Sequence, residues 1–178
     1  MELTSFSKRR RNTEVYKAKK GDNEAFLALI DQNRLNIYRV ARGILKNEED
    51  VKDAIQNTLM KAFQNIHTLE KDEYFKTWLI RILINECNEI LRKNKRNISL
   101  DENIGDIGEK YTDDYENMDL VRAINSLDEE LRILITLFYF EDISVRDISE
   151  ILNISKGTVK SRLSRARLKL RKILGEDY

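Results

Sequence analysis

The sequence predicts an all-α protein, built as two small helical domains joined by a flexible acidic linker. Three observations predict it. The 178 residues contain no proline and only six glycines, too few turn and breaker residues for a collagenous or tightly turned all-β chain. Apolar residues recur at steps of three and four on both sides of the middle of the chain, the period of helices with one buried face. Charge is also unevenly placed. Residues 1–94 carry 18 basic and 14 acidic side chains, residues 95–118 carry 3 and 7, and residues 119–178 carry 11 and 10, so a formal net charge of +1 hides an acidic middle. A length of 178 residues and 41% apolar content suit one ordinary domain or two small ones that fold rather than stay disordered. The expected boundaries are 12–94, a linker at 95–117, and 118–174.

In the first half a short leading helix is expected around Thr13 to Lys19. Gly21-Asp22 then starts a longer helix with Phe26, Leu29, Ile30, Ile37, Ala41 and Ile44 on one face. A second helix enters through Asn47 and carries Val51, Ile55, Thr58, Leu59, Ala62 and Ile66. A third carries Phe75, Trp78, Leu79, Ile82, Leu83 and Ile90. Three amphipathic helices of this length can close a small core. Glu86 falls near the middle of the third apolar face, so that face is expected to be incompletely buried. Trp78 and Cys87 are read as packing residues. Residues 95–117 lack helical periodicity, contain two glycines and are rich in acids, which reads as a linker.

In the second half Leu120, Val121, Ile124 and Leu127 suggest a short helix, and Leu131, Leu134, Ile135 and Phe138 a second. Ser144 caps a third, with Asp147 at the fourth place of a capping-box-like pattern and Val145, Ile148, Ile151 and Leu152 inward. Asn153-Ile154-Ser155 makes a turn. A fourth helix follows from Lys156, with Val159, Leu163, Ala166, Leu170 and Ile173 on its inner seam.

Composition excludes several classes of chemistry. A single cysteine, Cys87, rules out an intramolecular disulfide framework, and His67 as the lone histidine leaves no zinc site of usual ligand count, so no metal or cofactor is expected. The longest apolar runs fall far short of the roughly 20 residues a membrane span needs, so direct membrane insertion is not expected. The basic cluster Lys8 to Arg11 is followed by no apolar segment, so no secretory signal is visible and a cytoplasmic protein is expected. Glu49 and Asp53 share a helix face without a nucleophile, second acid or metal cluster beside them. No catalytic constellation is found, and no enzyme is expected.

The chemistry concentrates at the C-terminal end. From Ile151 to Gly175 there are eight lysines and arginines and no carboxylate, an electrostatic footprint for a polyanion. A capped short helix, a three-residue turn and a longer basic helix make a helix-turn-helix, whose second helix lies in the DNA major groove. Lys160, Ser161, Arg162, Ser164 and Arg165 are the base-edge or phosphate candidates. Lys156 adds charge, Gly157 allows close backbone approach, and Ser155 and Thr158 can cap the helix or meet a phosphate. Such a motif also occurs in free-standing regulators, where response-regulator output domains carry a Thr-Val-Lys recognition helix. An α/β receiver would then precede it, whereas residues 12–94 show helical periods alone.

Three stretches carry a family resemblance. Gly157-Thr158-Val159-Lys160-Ser161-Arg162-Leu163-Ser164-Arg165-Ala166-Arg167 closely resembles the recognition helix of bacterial sigma factors of the small extracytoplasmic-function type. Asp53-Ala54-Ile55-Gln56-Asn57-Thr58-Leu59-Met60-Lys61-Ala62-Phe63 resembles that family's polymerase-binding helix. The segment from Phe75 to Asn85 resembles its promoter-melting helix. The resemblance covers about residues 12 to 174. It implies a transcription initiation factor made of sigma domains two and four, which recognises the minus-ten and minus-thirty-five promoter elements and helps DNA melting.

By the same resemblance, Asp53, Gln56 and Asn57 dock on the coiled coil of the largest subunit of core RNA polymerase, and domain four meets the flap of the second-largest subunit. Asn57 stands where an acid is more usual. The loop of Thr68, Leu69, Glu70, Lys71 and Asp72, with Asn85 nearby, would hold a flipped minus-ten base, Leu69 standing where many relatives carry an aromatic. Lys156, Thr158, Lys160, Ser161, Arg162, Ser164 and Arg165 would read the minus-thirty-five element. An anti-sigma factor, often membrane-bound, is implied as a further partner.

Overall fold

The computed structural model describes residues 13–98 and 118–175, and these residues form eight α-helices and no strand. The expected basic cluster Lys8 to Arg11 and most of the expected linker lie outside the described residues. Helix α1 spans residues 13–19, as its sequence predicts. Gly21, at φ +93°, turns the chain into Asp22, whose carboxylate accepts from the Ala25 amide at 3.0 Å and caps α2 (Asn23–Ile44). Asn47 caps α3 (Glu48–Asn65) by accepting from the Glu49 amide at 3.0 Å. Two short 3-10 turns, Ile66–Thr68 and Asp72–Tyr74, lead into α4 (Phe75–Ile98). Helix α4 thus runs past the expected linker start at 95.

Helices α2, α3 and α4 pack on one another through the expected stripes. Phe26, Leu29, Ile37, Val51, Ala62, Phe75, Leu79 and Leu83 are all buried. Each fully buried aliphatic side chain of this size contributes roughly 1.5 to 3 kcal/mol over an exposed one. The expectation that this third face is incompletely buried holds, since Trp78, Ile82 and Ile90 are only partly buried, but the cause is not Glu86. The residue is buried, because Lys61 from α3 reaches over it and donates to its Oε1 at 2.6 Å, supplying the partner a buried carboxylate needs.

The second half begins with α5 (Met118–Asn125), which buries Ala123 and Ile124 but leaves Leu120 and Val121 exposed, unlike the inward face its sequence suggests. Helix α6 (Glu129–Ile135) continues into a π-helical turn, Thr136–Phe140, closed by the Glu141 amide donating to the Thr136 carbonyl. Ser144 caps α7 (Val145–Leu152), accepting from the Asp147 amide at 3.1 Å while its hydroxyl donates to the Asp147 carboxylate at 2.7 Å. The turn places Asn153 at φ 52°, a left-handed position that asparagine tolerates well. Ser155 then caps α8 (Lys156–Leu174).

The inner seam of α8 is Val159, Leu163 and Ala166, with Leu170 packed partly against the core. Ile173 is a correction: it is 51% exposed, because a helix of 3.6 residues per turn carries the seam from 170 to 174.

The two halves pack together. Helix α2 lies against α6 and the π turn, and α4 lies against α7, so that one buried apolar cluster runs through both halves. No helix of the described residues is long and apolar enough to cross a membrane.

Candidate nucleic-acid interface

Helix α8 is held from one side only. Helices α5, α6 and α7 pack on its seam, and the opposite face stays open. At its N-terminus Ser155 Oγ accepts from the Thr158 amide at 3.0 Å and shares a hydrogen bond with Thr158 Oγ1 at 2.8 Å, so the Thr158 hydroxyl serves the cap. Lys160, Ser161, Ser164 and Arg165 point away from the core and are exposed, as are Lys156 and Gly157. Arg162 differs. It sits at the flank, half-buried, with its guanidinium 2.9 Å from the Glu130 carboxylate on α6. Lys169 is likewise tied, 2.5 Å from Asp128, whose carboxyl it holds below the usual aspartate range.

Position on the helix explains this division. Arg162 and Lys169 lie on the flank that faces the acid-rich start of α6, Arg165 lies at the edge of that flank, close enough to Asp128 to help lower its carboxyl, and Lys160 and Ser164 face outward. The open face can therefore place guanidinium, ammonium and hydroxyl groups along a major groove, against both base edges and phosphates.

The first half offers a second concavity. A cleft of about 380 Å³ opens between α3 and α4, within the roughly 300 to 1,000 Å³ of small-ligand clefts. Of the six residues expected around a flipped base, Thr68 and Asn85 line it. The other four do not. Leu69 is 5% exposed and packs into the core, so its side chain forms no part of the cleft wall. The reason is local. Lys19 of α1 donates to the Leu69 carbonyl at 2.7 Å and pairs with Asp72 at 3.1 Å, which ties that stretch of loop to α1 and away from the cleft. Glu70 is exposed, and Lys71 is exposed with its ammonium over the Tyr74 ring, 5.9 Å from the centroid.

Lys61, Asn65, Trp78, Ile82, Glu86 and Arg92 also line the cleft, and sequence reasoning did not assign these to it. The signal was available. Lys61, Asn65 and Thr68, and Trp78, Ile82, Asn85, Glu89 and Arg92, each follow steps of three and four, a stripe beside the core stripe on each helix. Trp78 is half-buried: one edge packs 6.0 Å from Phe75, and the rest forms cleft wall. Of the two cations here, Arg92 donates from Nε to the Asn88 carbonyl at 3.2 Å, and Lys61 is paired with acids. Lys61 is 2.6 Å from Glu86 and 3.9 Å from Glu89, and the hydrogen bond to Glu86 holds its ammonium above the usual lysine range.

On the outward side of α3, Asp53 and Gln56 are exposed and Asn57 is half-buried. Their spacing of three and four puts them on one face, which continues into Met60 at 53% exposure. A separate apolar groove runs along the other flank of α3, between Ile30, Leu35 and Tyr38 of α2 and Ile55 and Leu59 of α3. Among the described residues no cluster of histidine, cysteine, aspartate and glutamate has the composition to hold a metal ion.

Residues 29–97 match the family model of Sigma-70 region 2, and residues 117–170 that of Sigma-70, region 4. The chain is 32% identical to the RNA polymerase sigma factor SigV of Bacillus subtilis (strain 168) over 158 residues, 88% of this chain and 95% of that protein. It is 31% identical over 176 residues to the ECF RNA polymerase sigma factor SigW of the same organism, 90% of this chain and 94% of that protein. Among solved structures it resembles the sigma factor RpoE from Bartonella quintana in complex with the anti-sigma factor NepR. The TM-score is 0.69 and the identity 28%, covering 83% of this chain and 97% of that one. The free-standing regulator, the alternative left by the helix-turn-helix alone, does not account for the region 2 match. The open basic face of α8 therefore sits in a chain that belongs to the ECF-type RNA polymerase sigma factors, transcription initiation factors that direct RNA polymerase to promoters.

Proposed function

We propose that the two halves divide the promoter between them, with domains at 12–94 and 118–174 joined by a linker at 95–117. The outward face of α8 reads the minus-thirty-five element in the major groove through Lys160, Ser161, Ser164 and Arg165. Lys156 adds phosphate attraction, while Thr158 and Arg162 act from the edge, as helix cap and flank. The cleft between α3 and α4 receives the flipped base of the minus-ten element, with Thr68 and Asn85 on its wall and Trp78 as the stacking surface. Glu70, Lys71 and Asp72 lie in the neighbouring loop, outside the cleft wall. Asp53, Gln56 and Asn57 dock core polymerase on the opposite flank of α3, and the flap of the second-largest subunit meets the second half. The chain binds and positions, and the polymerase supplies the catalysis, in the cytoplasm where it works.

An anti-sigma factor is the natural further partner, since the RpoE relative is held by one. The single observation that carries the DNA reading is the open face of α8. Its outward residues are exposed and Lys160 makes no ion pair among the described residues, although the same half contributes partners to Arg162 and Lys169 and its Asp128 also attracts Arg165. A photoreactive amino acid at Ser164 tests it. In the holoenzyme it should crosslink to the minus-thirty-five element; crosslinks confined to protein would remove α8 from the DNA.

A further inference from the structure

The chain leaves the wall of the α3–α4 cleft at Thr68 and reaches α4 through a connection that its own backbone does little to fix. The Leu69 amide closes the first 3-10 turn by donating to the Ile66 carbonyl at 3.2 Å, and the Tyr74 amide closes the second by donating to the Lys71 carbonyl at 3.0 Å. Between these turns Leu69 and Lys71 take extended backbone angles. Among the described residues no backbone hydrogen bond bridges that stretch, so its carbonyls must find partners elsewhere.

One side chain from α1 supplies the bridge. Lys19 donates to the Leu69 carbonyl at 2.7 Å and to Asp72 Oδ1 at 3.1 Å, so a single ammonium grips both ends of Leu69-Glu70-Lys71-Asp72. Both bonds are charge-assisted and therefore of the stronger class. The Lys19 and Asp72 side chains are only 23% and 24% exposed, which spares the pair much of the screening that weakens surface ion pairs.

The clamp stands on a firm base. Val15 and Ala18 bury α1 against the core, and Gln32 of α2 donates to Glu14 Oε2 at 2.7 Å, so α1 is anchored without help from Lys19. Leu69 and Phe75 are buried at either end of the connection, so the bundle itself is closed without the clamp. What Lys19 governs is the exposed pair between its two grips, Glu70 and Lys71, and the place where the chain leaves Thr68. A lysine that served to attract DNA would keep its ammonium outward, as Lys160 does on α8, whereas Lys19 turns its donors inward.

We infer that Lys19 is a positioning residue for the minus-ten element. It sets the shape of the 69–72 connection before DNA arrives, so that Thr68 keeps its place on the cleft wall and Glu70 and Lys71 hold fixed positions beside it. The inference rests on the reading of the cleft as the receiver of a flipped base. Ordering the connection only at the moment of binding would set its conformational entropy against affinity, and a loop that is competent for part of the time weakens binding by that fraction. A loose wall also accommodates bases that a fixed wall rejects, so the clamp acts on base choice as well as on affinity.

Continuous-wave electron paramagnetic resonance on the free full chain reads the loop, with a spin label at Glu70→Cys, an exposed site, while Cys87 is buried and stays unlabelled. The label should be slow in the parent and mobile when Lys19→Met is added. It should loosen less with Asp72→Asn, which leaves the bond to the Leu69 carbonyl, and stay slow with Lys19→Arg, whose guanidinium can donate to both oxygens. Holoenzymes made from the unlabelled chains read the function, first on a single-stranded DNA pool with a randomised window and then on the sequence that the parent enriches. Lys19→Met should weaken that sequence about tenfold, as expected for a loop competent for about one-tenth of the time, and should flatten the base selection. Lys19→Arg should stay within about twofold of the parent, with Asp72→Asn between the two. The slope of log affinity against log salt should not change with Lys19→Met, whereas loss of a phosphate contact would lower it by about 0.7. Binding to core polymerase and to the minus-thirty-five duplex should match the parent in every variant.

A label equally slow in the parent, Lys19→Met and Asp72→Asn would overturn the clamp. A loosened loop with unchanged affinity and base selection would overturn the positioning role, as would a loss shared equally by the single strand, the duplex and core polymerase. A lowered salt slope with the label still slow would make Lys19 a phosphate contact instead. If the parent holoenzyme enriches no sequence from the pool, the reading of the cleft itself fails, and the label in the free variants still decides whether Lys19 holds the loop.

Discussion

On the proposed reading, helix α8 and the α3–α4 cleft face the same polymer with opposite electrostatic designs. Along the open side of α8 the cations are exposed, and the nearest carboxylates, Asp128 and Glu130, pair with the flank residues Lys169 and Arg162 while Asp128 also attracts Arg165. In the cleft Lys61 is already committed to Glu86 and Glu89, so little net positive charge remains to attract a phosphate. A duplex reader can draw affinity from phosphate neutralisation, which is strong and salt-dependent. A pocket for a single unstacked base depends instead on shape and on aromatic stacking. On that reading the near-zero net charge of the chain sums two different ways of holding DNA.

That contrast can be broken at a buried leucine first. Leu69→Ala should cost about 2 to 5 kcal/mol of stability, as large-to-small changes in a core do, measured as a lowered urea midpoint. Leu168→Ala, at 56% exposure on α8, should stay within about 0.5 kcal/mol. Equal costs would mean that the loop of the first half is not part of its core.

The next largest effects separate the two DNA surfaces. Arg165→Ala should weaken minus-thirty-five binding by about 1 to 3 kcal/mol, roughly 5- to 150-fold, with core polymerase binding unchanged by native gel. Trp78→Leu, which keeps an apolar wall and removes the ring, should weaken a single-stranded minus-ten oligonucleotide by a similar 1 to 3 kcal/mol, roughly. It should leave the duplex element untouched. A substitution that affects both DNA probes alike would merge the two surfaces into one.

Salt sharpens the comparison further. Lys160→Ala should reduce the slope of log affinity against log salt on the duplex by about 0.9. Lys61→Ala should leave the slope for the single strand nearly unchanged, because Glu86 already neutralises that ammonium. The smallest effect concerns Cys87, whose thiol burial pushes up to about 12. Thiolate is formed only as pH rises toward that value, so a thiol reagent at pH 8 should find Cys87 inert in the folded chain and reactive after denaturation.

What the sequence made legible follows from how local each cause is. The caps at Asp22, Asn47, Ser144 and Ser155, and the seam of α8 through Ala166, rest on neighbours within one or two turns. Ile173 was misplaced because steps of three and four accumulate phase error toward a helix end. The burial of Glu86 was not legible because its partner Lys61 lies 25 residues away on another helix. Family resemblance placed Leu69 in the loop around a flipped base, while its tie to Lys19 across 50 residues follows no periodic pattern. The contact between the halves was least legible of all. Glu141 meets Arg39 across 102 residues and Lys76 across 65, and each of these alone reads as an ordinary charged residue.

Run-off transcription with purified core RNA polymerase tests the central claim most directly. A template library with randomised minus-ten and minus-thirty-five positions should yield defined transcripts when this chain is added and none from core alone, and Arg165→Ala should relax selection at the minus-thirty-five positions while leaving those at minus ten. No transcript from any template, or selection at minus thirty-five unchanged by the substitution, would contradict it.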